Sequence, residues 1–265
     1  MRIAAILFCL FALPAAAQES GLVSLQTGDD SRGWNAVGRI DLGLHGFCTG
    51  ALIAPQLVLT AAHCLFDKTT GARIPAEDIK FLAGLRNGRA EAYRGASRAI
   101  AHPDYVYSGA EAIDRVGYDL ALIELDQPIQ QTSITPFETD VRPPAGANVG
   151  VVSYAQDRAE APSLQQVCHV IDEDPNIMVL SCDVDFGSSG APIFAVTNGV
   201  ARIVSVVSAK ATVEGKKVAL GTQLAAPLAV LMAELAKADR PVSLSAGGVK
   251  MLSGGKAGGA KFVKP

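Results

Sequence analysis

The chain has 265 residues, is 49% hydrophobic and carries a net charge of −3. That is enough apolar material for a sizeable core, in one large domain or two small ones closely packed. The near-neutral balance excludes the basic composition of a nucleic-acid binder or a partner of acidic polymers, and no repeat period is visible.

Residues 1–17 read as a secretory signal peptide. Arg2 supplies the positive start, Ile3 to Leu13 the apolar run, and Ala15-Ala16-Ala17 the small-residue cleavage site. The apolar run is too short to cross a bilayer, and no later segment is long and apolar enough to do so. Cys9 follows the bulky Phe8 and comes too early for a lipoprotein anchor. The expected location is secreted or periplasmic.

Residues 18–35 are small and polar and read as a surface lead-in. A first β unit spans 36–125. Its strands are expected at Ala36 to Leu42, Phe47 to Ile53, Leu57 to Thr60, Ile79 to Ala83, Ala90 to Ile100 and Leu120 to Leu125, with a hairpin turn at Gly43 to Gly46. Residues 126–147 carry Pro128, Pro136, Pro143 and Pro144 and lose the alternation, so they read as a linker. A second unit spans 148–240. Strands are expected at Asn148 to Tyr154, Leu164 to Ile171, Met178 to Cys182, Ile193 to Thr197, Ala201 to Ser208 and Lys217 to Leu224, and a helix from Pro227 to Ala238. Many short strands with frequent turns predict an all-β sandwich or barrel, here twice. Residues 241–265 are rich in Gly, Ser and Lys and read as a disordered basic tail.

Removal of the leader leaves Cys48, Cys64, Cys168 and Cys182. An even number in an exported chain argues for disulfides. Three pairings are open; the local one, Cys48 with Cys64 and Cys168 with Cys182, closes two short loops worth roughly 3 kcal/mol each. A metal is not expected. His63 adjoins Cys64 and His169 adjoins Cys168, but neighbours on a strand point to opposite faces.

The stretch Gly187-Ser188-Ser189-Gly190-Ala191-Pro192 reads as a tight turn with a hydroxyl at its apex. Ser189 there has the character of a nucleophile, and the N–H groups of Gly187 and Ser189 that of oxyanion donors. Such a serine needs a base. The candidates are His45 in a turn, His102 at a loop entry, His169 within a strand, and His63 at the end of the Leu57 to Thr60 strand. His63 is preferred, since rigid elements hold reactive groups better than loops do.

Cys48-Thr49-Gly50-Ala51-Leu52-Ile53 followed by Leu59-Thr60-Ala61-Ala62-His63-Cys64 resembles the histidine region of the trypsin/chymotrypsin-like serine peptidases. Tyr118-Asp119-Leu120-Ala121-Leu122 is similar to their aspartate strand, and Gly187 to Pro192 to their nucleophile turn, in the family's order. The resemblance runs from about Trp34 to the helix near Ala238. It implies two packed antiparallel six-stranded β-barrels with a C-terminal helix, and a triad of His63, Asp119 and Ser189 in the cleft between them. Asp119 would orient His63, which would move the Ser189 proton. Cys48–Cys64 matches the family's disulfide behind the histidine. Ser205 matches a position supporting the aspartate, with the backbone after it pairing with substrate as an added strand.

Specificity follows from the same comparison. Asp183, six residues before Ser189, matches a pocket-floor carboxylate that attracts Lys or Arg, with Asp185 close by. Val207 falls where many relatives have Gly along the pocket wall and would narrow the entrance, with Gly221 as the opposite wall. Basic side chains are implied, with small apolar ones as the alternative. The chain also departs from the family beside the nucleophile. The residue before the nucleophile, usually an aspartate that binds the new N-terminal amine after zymogen cleavage, is Ser188. Ser188 is also a rival nucleophile, although the Gly-x-Ser-Gly frame favours Ser189.

The expectation is a monomeric exported serine endopeptidase acting on protein or peptide substrates, without cofactor or metal. The alternative is a catalytically inactive homologue acting as a binding module.

Overall fold

The computed structural model describes residues 19–107, 113–174 and 176–238. The expected signal peptide, residues 1–17, and the expected basic tail, residues 241–265, lie outside the described residues. In chain order the strands are β1 (Leu22–Ser24), β2 (Val37–Asp41), β3 (Phe47–Ala54), β4 (Leu57–Thr60), β5 (Lys80–Ala83), β6 (Ala92–Ala101) and β7 (Ala121–Leu125), then β8 (Asn148–Ala155), β9 (Arg158–Asp174), β10 (Ile177–Leu180), β11 (Pro192–Thr197), β12 (Val200–Val213) and β13 (Lys216–Gln223). Helix α1 spans Ala225–Ala238.

Two closed six-stranded antiparallel barrels result, as the sequence predicts. The first runs β2-β3-β4-β7-β6-β5. The second runs β8-β9-β10-β13-β12-β11 and closes because β8 pairs with both β9 and β11. Closure leaves no unpaired sheet edge within each ring. One set of alternate residues along each strand fills a barrel interior, and in β3, β4, β7 and β8 the other set is largely buried as well. Ile40, Leu52, Leu59, Phe81 and Leu122 are buried in the first barrel, and Val151, Val170, Met178, Leu180 and Ile193 in the second.

The barrels are fused by a continuous apolar contact. Tyr154, Phe194 and Leu224 of the second half belong to the same buried cluster as the first barrel's core. Phe194 lies with its ring centroid 4.7 Å from Phe137 and 5.0 Å from Trp34. The segment at 126–147 is therefore anchored, with Ile129, Ile134 and Phe137 all buried. Leu228, Leu231 and Leu235 of α1 pack on this cluster too.

Three features extend beyond the sequence pattern. β1 lies within the polar lead-in and pairs with β9 through Leu22–Gln165 and Ser24–Ser163. Its side chains are half-buried or exposed, so it carries no apolar signal. β9 begins six residues before the predicted Leu164. β12 runs five residues past the predicted Ser208, into the turn at Glu214 and Gly215. The added part of β12 is a hairpin arm with half-buried or exposed side chains, and the added part of β9 is made of charged and small residues, Ala161 and Ser163 among them buried, so apolar alternation marks neither.

Both disulfides are the local ones, Cys48–Cys64 and Cys168–Cys182. The second ties β9 to the segment that leads from β10 to Ser189. Replacing Cys168 and Cys182 together with serine is expected to lower unfolding free energy by about 3 kcal/mol. Urea denaturation of the oxidised proteins would check this, and an unchanged midpoint would refute it.

Candidate active site

His63 sits in a 3-10 turn, Ala62–Leu65, directly after β4. Cys64 pins that turn to β3 through its disulfide. Asp119 follows a second 3-10 turn, Ile113–Tyr118, and precedes β7. Because β4 pairs with β7, with Thr60 opposite Ala121, the two side chains emerge from neighbouring strand ends.

Asp119 is almost fully buried, at 3% exposure, and a buried carboxylate must be satisfied. Its Oδ2 accepts from His63 Nδ1 at 2.7 Å, and its Oδ1 accepts from the His63 backbone N–H at 2.8 Å. The Ser208 hydroxyl donates to Oδ2 as well. Three donors on one carboxylate fix its rotation and, through Nδ1–H, the imidazole tautomer, leaving Nε2 free to accept a proton. Behind Asp119, Thr222 Oγ1 donates to Val116 O at 2.6 Å and to Asp119 O at 3.3 Å, which ties this backbone to the second barrel.

Ser189 lies in the loop between β10 and β11. Its carbonyl accepts the Thr49 N–H at 2.8 Å, and the next N–H, of Gly190, donates to Val207 O at 2.7 Å. Thr49 is the crosspiece between the barrels. Its hydroxyl donates to Gly187 O at 2.9 Å and accepts from the Tyr154 N–H at 3.1 Å. Gly190 has φ +77°, and a Cβ there would stand 2.1 Å from Thr60 Oγ1. Gly187 has φ +97°, and a Cβ there would stand 2.4 Å from the Phe47 ring. Both positions require glycine for conformation and for space.

The peptide between Phe186 and Gly187 has a definite orientation. Phe186 O accepts the Gln156 N–H at 2.7 Å. In a planar trans peptide the Gly187 N–H therefore points the opposite way. Ser188 O is likewise engaged, by the Ala191 N–H at 2.9 Å. The N–H groups of Gly187 and Ser189 have no acceptor among the described residues.

His63, Asp119 and Ser189 all line one open cavity of about 440 Å³. No hydrogen bond joins Ser189 Oγ to His63 among the described residues, but both face the same space. The other histidines do not. His45 Nδ1 pairs with Asp67 at 2.5 Å on the surface. The Asp67 carboxyl is drawn down to about 2, first by its hydrogen bond with the Thr70 hydroxyl and the Thr70 N–H. His102 is buried, which lowers its pKa, and its Nδ1 accepts the Asp104 N–H at 3.2 Å. The Tyr105 phenol also lines the cavity. Burial, then the Asp119 charge, pushes its pKa far up, so it stays neutral.

Several sequence expectations about the cavity wall are corrected. Ser205 does not reach Asp119: it is fully buried and donates to Thr222 O at 2.9 Å. The supporting hydroxyl is Ser208. β12 carries a bulge there, with Val207 opposite Gly221 and Ala209 opposite Leu220, so that Ser208 is the extra residue. A bulge re-aims a side chain without changing residue type, and so leaves no mark in the sequence. Asp183 is not a pocket floor. It is exposed, its N–H donates to Gln165 Oε1 at 2.7 Å, and it does not line the cavity. Gly221 is a packing glycine of the barrel, where a Cβ would stand 2.2 Å from Ser205 Oγ, and it is not a pocket wall. Val207 does line the cavity.

Ser188 is fully buried and outside the cavity. Its hydroxyl lies 3.2 Å from both Ser153 Oγ and Tyr154 O, and accepts from Arg158 Nη2 at 3.4 Å. Arg158 Nη2 also donates to Ser153 Oγ at 3.2 Å. Where the resemblance implies a carboxylate facing an ammonium, this chain sets neutral hydroxyls against an internal guanidinium.

Comparison with known proteins agrees with this fold. A family model described as Trypsin matches residues 26–226. Glutamyl endopeptidase of Bacillus licheniformis is 26% identical over 150 residues, 56% of this chain and 45% of that protein. Serine protease 23 of Homo sapiens is 28% identical over 167 residues, 56% of this chain and 42% of that protein. The matched region thus spans less than half the length of these curated relatives. The solved structure of a Glu endopeptidase in complex with MPD superposes with a TM-score of 0.65 at 21% identity. It covers 84% of this chain and 100% of its own, which speaks for the fold. With the paired barrels, the order of the three motifs and the breadth of the family match in agreement, this chain belongs to the trypsin family.

Proposed function

We propose that the protein is an exported serine endopeptidase that hydrolyses peptide bonds through an acyl-enzyme. The observation that carries this reading is the 2.7 Å bond from His63 Nδ1 to buried Asp119, in the cavity that also holds Ser189. His63 Nε2 takes the Ser189 proton as Oγ attacks the scissile carbonyl. The imidazolium, stabilised by Asp119, then protonates the leaving amine, and water reverses the sequence to release the acid. The N–H groups of Gly187 and Ser189 hold the developing oxyanion, and removing such a donor typically costs about 10²–10³ in rate. The inactive-homologue reading needs a collapsed oxyanion loop, and the engagement of Phe186 O by Gln156 argues against it.

A preference for basic side chains is not proposed, since Asp183 lies outside the cavity. The bacterial relative's name denotes action at glutamyl residues, and a cavity without a floor carboxylate is compatible with such a side chain. Two disulfides fit an oxidising compartment and, with residues 1–17, support export. A monomer is the working state.

The test is to treat the purified protein with a fluorophosphonate and to follow cleavage of an unfolded protein substrate. Stoichiometric labelling with parallel loss of cleavage is expected. A folded protein that neither labels nor cleaves would sink the reading.

Ser188 and Arg158 set a second expectation. Blocking the mature N-terminal amine with a short fused extension should leave turnover unchanged, because no carboxylate at position 188 awaits it. A peptide-cleavage assay that showed the extended form to be inactive would refute this.

A further inference from the structure

The wall of the cavity carries charge that the hydrolytic steps do not use. Lys210 lies on β12, two residues beyond Ser208, and Asp185 and Phe186 lie on the loop that leads to Ser189; all three line the cavity. Lys210 Nζ is 2.7 Å from Asp185 Oδ1 and 4.0 Å from the centroid of the Phe186 ring. Its side chain thus crosses from one wall to the other beside the nucleophile. The lining also includes the apolar Val184, Val207 and Leu220 and a further cation, Arg115.

The pair is ionic. The Lys210 hydrogen bond, followed by the Phe186 N–H, draws the Asp185 carboxyl below its ordinary range. It is also open to water, with the side chains 43% and 54% exposed. Exposed pairs of this kind are weak and exchange partners readily. The Phe186 ring adds a cation–π contact to the ammonium that does not itself require the Asp185 carboxylate. A second cation, Lys68 Nζ, stands 5.9 Å from the same ring. Among the described lining residues, Asp185 and Asp119 are the only carboxylates, and Asp119 is committed to His63 and Ser208.

We propose that Lys210 reads the side chain on the acyl side of the scissile bond and selects an acidic one, and that Asp185 is a built-in occupant which the substrate carboxylate replaces. This rests on the serine endopeptidase reading. A substrate whose carbonyl reaches Ser189 places its own side chain against the wall that Lys210 spans. A carboxylate there takes over the ammonium and releases Asp185 to water. A neutral isostere cannot displace Asp185, and a basic side chain meets the ammonium directly.

The experiment uses paired peptides that differ only in Glu or Gln at the acyl-side residue, with the full chain as enzyme and fluorophosphonate titration of competent sites in every preparation. For the unaltered protein, kcat/KM for Glu should exceed that for Gln by roughly tenfold, and added salt should shrink the ratio. Lys210→Met should bring the ratio near one. Asp185→Asn, which keeps an acceptor for the Phe186 N–H, should raise the Glu/Gln ratio, mainly by lowering KM for Glu. Normal titration with a Glu/Gln ratio of one in the unaltered protein would overturn the proposal alone. So would a ratio that survives Lys210→Met. Absence of titratable sites would overturn the endopeptidase reading, and this proposal with it.

Discussion

Ser189→Ala is expected to lower kcat by on the order of 10⁶ and to abolish fluorophosphonate labelling. The substitution removes one oxygen from a half-buried side chain and leaves its backbone anchors intact. Thr49 N–H still donates to the carbonyl of residue 189, and Gly190 N–H still donates to Val207 O. The melting temperature should therefore stay close to that of the unaltered protein, so that lost turnover reports chemistry and not folding. A small residual rate is expected from the oxyanion donors and substrate binding, which survive. Ser188→Ala is the control for the rival hydroxyl. Ser188 is buried outside the cavity, so this variant should still be labelled. If labelling followed Ser188, the assignment of the nucleophile would be wrong.

The second large effect concerns the carboxylate. Asp119→Asn is expected to lower kcat by about 10⁴ with little change in fold. Three donors converge on the two oxygens of Asp119: the His63 N–H, the His63 Nδ1–H and the Ser208 O–H. An amide offers one oxygen and one NH₂ group. The backbone N–H of His63 cannot reverse, so it claims the amide oxygen. The NH₂ then faces Nδ1 and makes it the acceptor, which moves the imidazole proton to Nε2. A histidine protonated at Nε2 cannot take the proton of Ser189. The rate of fluorophosphonate labelling should fall with kcat, since both need the same base. Activity within tenfold of the unaltered enzyme would show that Asp119 does not set the tautomer.

Much of the fold was legible because barrel strands carry a local signal. Val37–Asp41 mixes buried apolar with half-buried polar positions, and Leu57–Thr60 and Ala121–Leu125 are short apolar runs buried on both faces; both signals can be read without knowing the neighbours. The same rule failed for Leu22–Ser24 and for the outer end of β12, whose side chains are half-buried or exposed. Their strand character lies in backbone pairing, which side-chain hydropathy does not report. His63, Asp119 and Ser189 could be singled out because each sits in a recognisable local frame, and the structure places all three on one cavity. Ser208 has no such frame.

What the sequence determined by itself is therefore the set of local commitments: where strands run, where the chain must turn on glycine at 187 and 190, and which residue types stand at those turns. The tertiary structure decided which distant groups meet. It brought His63 onto Asp119, set Ser208 rather than Ser205 as the donor to that carboxylate, and placed Asp185 rather than Asp183 on the cavity wall. The physical reason is that periodicity constrains a residue only relative to its chain neighbours. A single bulge, or the docking of one barrel on another, sets positions across the cleft while leaving every local pattern unaltered.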